Sequence, residues 1–364
     1  MKRILFIAAA LMAACSCEQT GAEPEVEAGY YIYADKETVE ADGKDIAAFV
    51  VKDQDGNVIS TENNMGVIWY ENVATEVRLP RYSTGFTSIV DGDFEFAGIV
   101  NGTKTLNTVK VKAQNRAKYE VFHRNVAIFK LTGTWCTNCP SMTTVLNGLG
   151  EDAKAHSVIL ACHWNDGGYS IPYADSGQDL AAAAALHVNP SLSSLSVPSN
   201  IYDLAIHEGT RTVSGITDII MNRRIESPAT TGIKVTSVAM DGSALKVKAV
   251  VKSSTGGEYD LTCAVLADNV NAGGAGSADG YYHHMVISVN QENFMSLSKN
   301  TRFALDADGE YEREFVFPLN GLSSDMLENV KVAVLSLRND ESGKAVVDNV
   351  VECPYGKTVD YLYN

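Results

Sequence analysis

The sequence predicts a multidomain chain built from an all-β sandwich, then an α/β domain, then a second β-rich sandwich. Three observations predict it. Short alternating runs broken by Asp-Gly turns, as in "DGKDIAAFVVKDQDGNVIS", fill the first hundred residues. Near residue 130 the pattern becomes a buried strand, a turn, an apolar stripe at helical spacing and a second buried strand. From Thr231 onward, alternating or apolar runs of strand length return. A length of 364 residues accommodates two or three domains.

The chain begins "MKRILFIAAALMAACSCEQ". Lys2 and Arg3 precede an apolar run of eleven residues, Ile4 to Ala14, whereas a bilayer span takes about 20. Such a run reads as an export signal, and no other segment is apolar enough to cross a membrane. Met12, Ala13 and Ala14 before Cys15 resemble the lipobox of bacterial lipoproteins. That resemblance implies a signal peptide over 1–14, lipid on Cys15, and a place in the cell envelope, at the outer membrane. Cys17 is a second choice, and an ordinary cleaved signal is the alternative. Residues 15–28 then form an acidic tether: Ser16 to Ala28 holds four glutamates and almost nothing to bury. Fully extended, that stretch reaches about 45 Å at most.

The formal charge is −16 for the whole chain and −18 once Lys2 and Arg3 are removed. A field of that sign repels phosphate backbones and anionic headgroups. Nucleic acid is therefore not expected as a partner, and membrane contact is expected through the N-terminal lipid.

Residues 29–118 form the first β domain. "ADGK" and "DQDGN" supply the turns, and "NTVKVKAQ" has the alternation of a closing strand. Asp53 and Asp55 are read as turn residues, since the later ligands of a calcium loop are missing. "ADKETVEADGKDIAAFVV" followed by "DQDGN" resembles the bacterial immunoglobulin-like modules of the invasin type, over about a quarter of the chain.

Residues 119–230 form the α/β domain. "NVAIFKL", Asn125 to Leu131, is a buried-strand run closed by a Thr-Gly turn. Met142, Val145, Leu146 and Leu149 recur at helical spacing, and "SVILAC" (Ser157 to Cys162) is the next strand. The resulting βαβ unit places "TWCTNCP" at the carboxyl end of a strand and the N-terminus of a helix. Unpaired amides and the helix dipole favour negative charge there, so Cys136 is the natural nucleophile. Cys139, one turn on, is placed to resolve a mixed disulfide. Pro140 fits the first helical turn.

"TWCTNCP" at a strand end resembles a thioredoxin-fold active site. The resemblance implies that Trp135 meets substrate, and that a cis-proline opens a later strand facing the cysteines. "SVPSNIYDL" supplies Val197 and Pro198 for that role. A trans proline opening an edge strand is the alternative. "VSGITDIIMNRRI" supplies the closing helix, with Val213, Ile216 and Ile220 on one face. Two features depart from the pattern. Six residues before the first cysteine, where thioredoxin has a buried acid, stands Lys130, which either stabilises a Cys136 thiolate or snorkels to water. Thirty-five residues separate "SVILAC" from Pro198, among them the alanine-rich helix "DLAAAAALHV", read as an insertion over the active-site edge.

Cys162 and His163 end the strand after the active-site helix. Cys162 is expected to be an inert buried thiol, and His163 either a hydrogen-bonded loop residue or a group that exchanges protons with the thiols. Zinc would need a fourth ligand at suitable spacing; no metal and no cofactor are expected.

Residues 231–364 form the C-terminal β domain, from "ALKVKAVVK", "EYDLTCAVLAD", "GEYEREFVF" and "VKVAVLSLR". Cys263 shares a face with Tyr259, Leu261 and Val265 and belongs to the core; a pairing with Cys353 is left open. His283 and His284, as neighbours on a strand, would point to opposite faces and not share an ion.

A lipoprotein signal, "FKLTGTWCTNCPSM" and "DGYYHHMVI" together resemble the outer membrane protein twenty-eight family of Bacteroidetes-type bacteria, over roughly residues 118 to 364. Two functions stay open. One is a lipid-anchored thiol-disulfide oxidoreductase acting on thiols and disulfides of envelope proteins. The other is a surface interaction lipoprotein whose β domains bind a ligand while the cysteine pair is a structural disulfide.

Overall fold

The computed structural model describes residues 28–41, 45–60, 65–72, 75–78, 84–88, 92–114, 122–166, 174–191, 194–290, 301–319 and 324–363. The expected signal peptide, the Cys15 expected to carry lipid and the expected tether up to residue 27 lie outside the described residues, as does the 118/119 boundary. The structure is mostly β, multidomain, and divided among several sheets.

Among the described residues nine strands precede residue 115: β1 (Tyr30–Ala34), β2 (Thr38–Glu40), β3 (Ala47–Asp53), β4 (Met65–Asn72), β5 (Thr75–Arg78), β6 (Gly85–Phe86), β7 (Gly92–Val100), β8 (Thr103–Lys104) and β9 (Val109–Gln114). They form two sheets, ordered β1-β3-β6 and β2-β9-β7-β4-β5, with β8 beside β7. In β3 and β9 the alternation in sequence is the alternation of burial, and Phe49, Val51, Phe86, Phe96 and Val111 meet in one core. Asp53 is a turn residue: its carboxylate accepts hydrogen bonds from the backbone N–H groups of Asp55 and Asn57 and from the Asn57 amide.

The α/β stretch contains β10 (Val126–Thr132), α1 (Cys139–Asn147), α2 (Glu151–Ala155), β11 (Ser157–His163), α3 (Ala174–Val188), β12 (Ser199–Tyr202), β13 (Ile206–Glu208) and α4 (Val213–Glu226). Then follow β14 (Thr231–Asp241), β15 (Ala244–Ser253), β16 (Gly257–Ala267), β17 (Val270–Asn271), β18 (Tyr281–Tyr282), β19 (Met285–Val289), β20 (Phe303–Leu305), β21 (Glu310–Pro318), α5 (Ser324–Leu327), β22 (Val330–Asn339) and β23 (Ala345–Pro354).

One sheet runs β13-β12-β10-β11-β19-β16-β22-β23, with β20 beside β16. The expected division at 230/231 falls within it, because strands from both sides of that position contribute. β10 and β11 are parallel, as the βαβ pattern requires, and β11 continues in parallel to β19 through Ala161 and Met285. All seven residues of β10 are buried, as in a strand covered on both faces. On one face lie α1 and α4, through Met142, Leu146, Ile216 and Ile220. Val213, expected with them, is exposed at the start of α4. On the other face α3 packs Leu180, Ala181, Ala184 and Ala185 against β10, β11 and the C-terminal strands. The alanine-rich segment is therefore a layer of the fold spanning both halves of the sheet, and not only a cover for the active-site edge. Gly177 permits its close approach, since a Cβ there would meet the His163 nitrogen at 3.1 Å and the Val286 oxygen at 3.3 Å. The sheet β14-β15-β21 packs through Ile233, Leu245, Val247 and Phe315 on Leu261, Cys263, Val332 and Val334.

A buried polar network fastens this seam. Asp203 Oδ2 accepts from Arg124 at 2.7 Å and from Arg223 at 3.0 Å, while Oδ1 accepts from the Ala127 N–H. Arg124 also donates to the carbonyls of Ser227 and Val347, and the Val347 N–H returns to the Asp203 carbonyl. Asn349 accepts from the Asn125 N–H and donates to the Thr231 carbonyl. Burial pushes the Arg124 pKa down, and the Asp203 carboxylate opposes that effect. Asp203→Ala leaves two guanidinium groups without their shared counter-charge, and urea unfolding is expected to show a loss of about 3–5 kcal/mol. A loss below about 1 kcal/mol would show that the network does not hold the seam.

Candidate active site

β10 ends at Thr132, and the chain turns through Gly133, Thr134 and Trp135 to reach Cys136; α1 begins at Cys139. Pro140 lies in the first turn, where its missing N–H removes no helical bond. Cys136 and Cys139 are joined as a disulfide with Cα atoms 5.4 Å apart. Cys136 is 4% exposed and Cys139 fully buried, so a partner approaching from solvent meets Cys136 first.

Three contacts hold the turn. The Trp135 ring is 43% exposed, yet its Nε1–H donates to the Trp164 carbonyl at 2.8 Å. The Thr134 N–H and hydroxyl both donate to Asp166 Oδ1, at 2.9 and 3.1 Å. The Gly276 N–H donates to the Thr134 carbonyl at 2.7 Å, bringing the loop before β18 onto the cysteine turn. A Cβ at Gly276 would collide with the Gly133 carbonyl oxygen, so only glycine permits this approach. Sequence reasoning missed Asp166 and Gly276. "WNDGG" and "AGGAGS" look like ordinary turn composition, and nothing local says what they touch.

The Val197–Pro198 peptide is cis, and β12 starts at Ser199 immediately after it. Ser199 pairs with Leu131 and Asn200 with Lys130, so the antiparallel register sets Val197 and Pro198 beside the end of β10, where the cysteine turn leaves the sheet. Cys136, Cys139, Trp135, Val197 and Pro198 thus gather at one end of neighbouring strands.

Lys130 does not snorkel. It is 8% exposed, donates to the Thr143 hydroxyl of α1 at 2.6 Å, and burial pushes its pKa down to about 8. His163 is buried as well. Its Nδ1 lies 2.6 Å from Asp166 Oδ2, so Asp166 links the histidine to the Thr134 turn. The His163 Nε2 is buried without a hydrogen-bond partner, and the ring meets Tyr282 edge-on at 5.0 Å between centroids. Cys162 is buried, and burial raises its thiol pKa far above the ordinary value. Cys263 and Cys353 are separate buried thiols: β22 runs between them, with Cys263 opposite Val334 and Cys353 opposite Val332. Burial, followed by the neighbouring Glu352, pushes Cys353 up to about 11.

His283 and His284 are not strand neighbours on opposite faces. They occupy the break between β18 and β19, with His284 in a left-handed conformation (φ 55°), and both line the same cavity. His284 Nδ1 lies 2.8 Å from Lys331 Nζ, and that ammonium also pairs with Asp268 at 2.8 Å and Glu352 at 3.1 Å. Burial raises the pKa of both acids, but the hydrogen bonds and charges of Lys331 and His284 outweigh it and leave both lowered. Among the described residues, no group of three His, Cys, Asp or Glu is arranged to hold a metal ion.

Lys130 makes a signed pH prediction. Its folded pKa of about 8 lies below the ordinary 10.5, so between those values the unfolded chain holds a proton that the folded one lacks. Stability therefore rises with pH across that window, and the penalty is present in full below pH 8. Lys130→Met is expected to be more stable than the parent at pH 7, by up to about 3 kcal/mol in urea unfolding, with the difference vanishing near pH 10.5. A pH-independent difference would contradict the burial of an unpaired ammonium.

No protein-family model matches the chain, and no curated protein matches it. Solved structures do. HBP35 of Porphyromonas gingivalis superposes with a TM-score of 0.51 at 18% identity, covering 65% of this chain and 77% of that one. A protein from Agrobacterium tumefaciens gives a TM-score of 0.44 at 15% identity, covering 66% of this chain and 98% of that one. The likeness to HBP35 is one of fold, and this chain carries a disulfide at Cys-x-x-Cys spacing.

Proposed function

We propose that the chain is a thioredoxin-like thiol-disulfide oxidoreductase of the cell envelope, held to the outer membrane by lipid on Cys15. The observation that carries this reading is the Cys136–Cys139 disulfide itself, with Cys136 the less deeply buried of the two, Cys139 fully buried, and the cis Val197–Pro198 peptide beside the turn. In the reduced protein the Cys136 thiolate attacks one sulfur of a substrate disulfide, and the other substrate sulfur leaves as a thiolate. Cys139, deprotonated, then attacks the Cys136 sulfur of the mixed disulfide and expels the second substrate thiolate. One substrate disulfide is thereby reduced to two thiols while the Cys136–Cys139 pair is oxidised; the reverse sequence oxidises a substrate dithiol. Trp135 offers an exposed ring beside the attacked sulfur, and the backbone at Val197 offers strand-like hydrogen bonds to an extended substrate. Residues 119–364 act in this reading as one body, with the first β domain, of immunoglobulin-like type, as a spacer. HBP35 comes from a Bacteroidetes organism, in keeping with the family that the sequence resembles.

A second reading makes the chain a surface interaction protein with an idle disulfide. The near-complete burial of both cysteines favours it. The two readings separate in a trapping experiment on the reduced full chain with a disulfide-bonded peptide. The parent protein is expected to release both peptide thiols, Cys139→Ala to stop at a peptide adduct visible by mass, and Cys136→Ala to form none. Absence of an adduct on Cys139→Ala, with the peptide left oxidised by the parent, would leave the disulfide structural.

A further inference from the structure

Between α1, β11 and the loop before β19 lies a cavity of about 390 Å³, and Lys130 is on its wall. Small-molecule sites begin at about 300 Å³. Lys130 pairs with Ala161 in the parallel register, and Ala161 lines the same cavity, so both side chains leave the sheet on the face that α1 covers. The Lys130 nitrogen ends 2.6 Å from the Thr143 hydroxyl, and Thr143 is a half-buried residue of the same wall. The amine is thereby carried to the cavity lining. Pro140, Leu146, Ile159 and Ala161 supply apolar surface for a short carbon body beside it.

No counter-charge holds a proton on that nitrogen. Among the described residues no carboxylate pairs with Lys130, and burial lowers its pKa to about 8 without an opposing charge. The acids on the cavity wall are engaged elsewhere. Asp268 is held by Lys331, and Asp279 accepts from the Ser277 hydroxyl and the Tyr281 N–H. The other titratable side chains of the wall are a tyrosine, Tyr281, a second, Tyr282, and three imidazoles, His163, His283 and His284. A lysine desolvated in an apolar pocket is an activated nucleophile. At pH 7 roughly one ordinary lysine in three thousand is a neutral amine, against roughly one in ten for a pKa of about 8.

We infer that this cavity is a covalent capture site for small aldehydes, with Lys130 as the nucleophile. The neutral amine adds to the carbonyl carbon, and one nitrogen proton passes to the carbonyl oxygen. The carbinolamine then loses that hydroxyl, with the second nitrogen proton, as water, which leaves a C=N bond; nothing is oxidised or reduced. The site stands apart from the redox reading, since neither cysteine lines the cavity.

Reductive trapping of the full chain with propanal and cyanoborohydride at pH 7 tests it, with the hydride fixing each imine as a secondary amine that peptide mass mapping locates. Lys130 is expected to be labelled about tenfold or more faster than the exposed Lys110 and Lys357, and faster by at least that factor than Lys130 in the urea-unfolded chain. The native-to-unfolded ratio is expected to fall towards one by about pH 10.5, where the unfolded amine also loses its proton. Oxidised dextran, a polymeric aldehyde, is expected to label Lys110 and Lys357 and to spare Lys130. Lys130→Met is expected to lose the fast adduct and keep the slow ones. The comparison of lysines within one native sample needs no variant and so is independent of folding effects. Labelling of Lys130 no faster than of Lys110 and Lys357, a ratio that does not change with pH, equal labelling by the polymer, or a fast adduct that persists in Lys130→Met would overturn the assignment.

Discussion

Asp203 is a carboxylate without solvent contact that pairs with two buried guanidinium groups, and the large sheet closes around it. It sits just after β12 in a left-handed conformation (φ 52°), which is uncommon for an L residue but which Asp tolerates better than most. Arg124, on the approach to β10, and Arg223, near the end of α4, converge on it, while its backbone carbonyl accepts from Val347 of β23. One residue thus joins the elements around the cysteine pair to the far edge of the C-terminal strands. Removing its charge would leave two cations in a low-dielectric interior, which is why charged groups are rarely buried without such a partner.

That constraint has consequences at the candidate site. β10 carries the cysteine turn at its end, β12 carries the cis Val197–Pro198 peptide, and β11 carries His163; all three are interior strands of the same sheet. The turn is then held from outside the α/β stretch by Gly276 and from inside by Asp166. A disulfide sited on rigid strand ends, with its neighbours fixed by separate hydrogen bonds, keeps its geometry without relying on loop order.

The local part of this arrangement was legible in the sequence. The apolar run before "TWCTNCP", the helical spacing of Met142 and Leu146, and the run "SVILAC" define β10, α1 and β11 because each is a short-range pattern. The proline of "SVPSN" and the lysine six residues before Cys136 stand out only through the resemblance to a thioredoxin-fold active site. What escaped is non-local. The β11–β19 junction joins Ala161 to Met285, and no periodicity within either strand announces it. The alanine-rich α3 looked like an insertion because its two burial surfaces belong to strands distant in sequence. Strand alternation sets His283 and His284 on opposite faces, and the break at the left-handed His284 that overrides it has no signal in the sequence. In the sequence Lys130 either stabilises a Cys136 thiolate or snorkels to water, and the covering helix α1 decides against snorkelling.

The central claim is that Cys136 and Cys139 cycle. A cycling pair and a persistent one share spacing and fold but differ in the relative stability of their reduced and oxidised forms. The reduction potential of the pair, obtained by equilibrating the full chain against glutathione and quantifying the Cys136–Cys139 disulfide by alkylation and mass, separates them directly. The account predicts a value within about −120 to −270 mV, the range of working oxidoreductases. A value below about −300 mV, where structural disulfides lie, would contradict it.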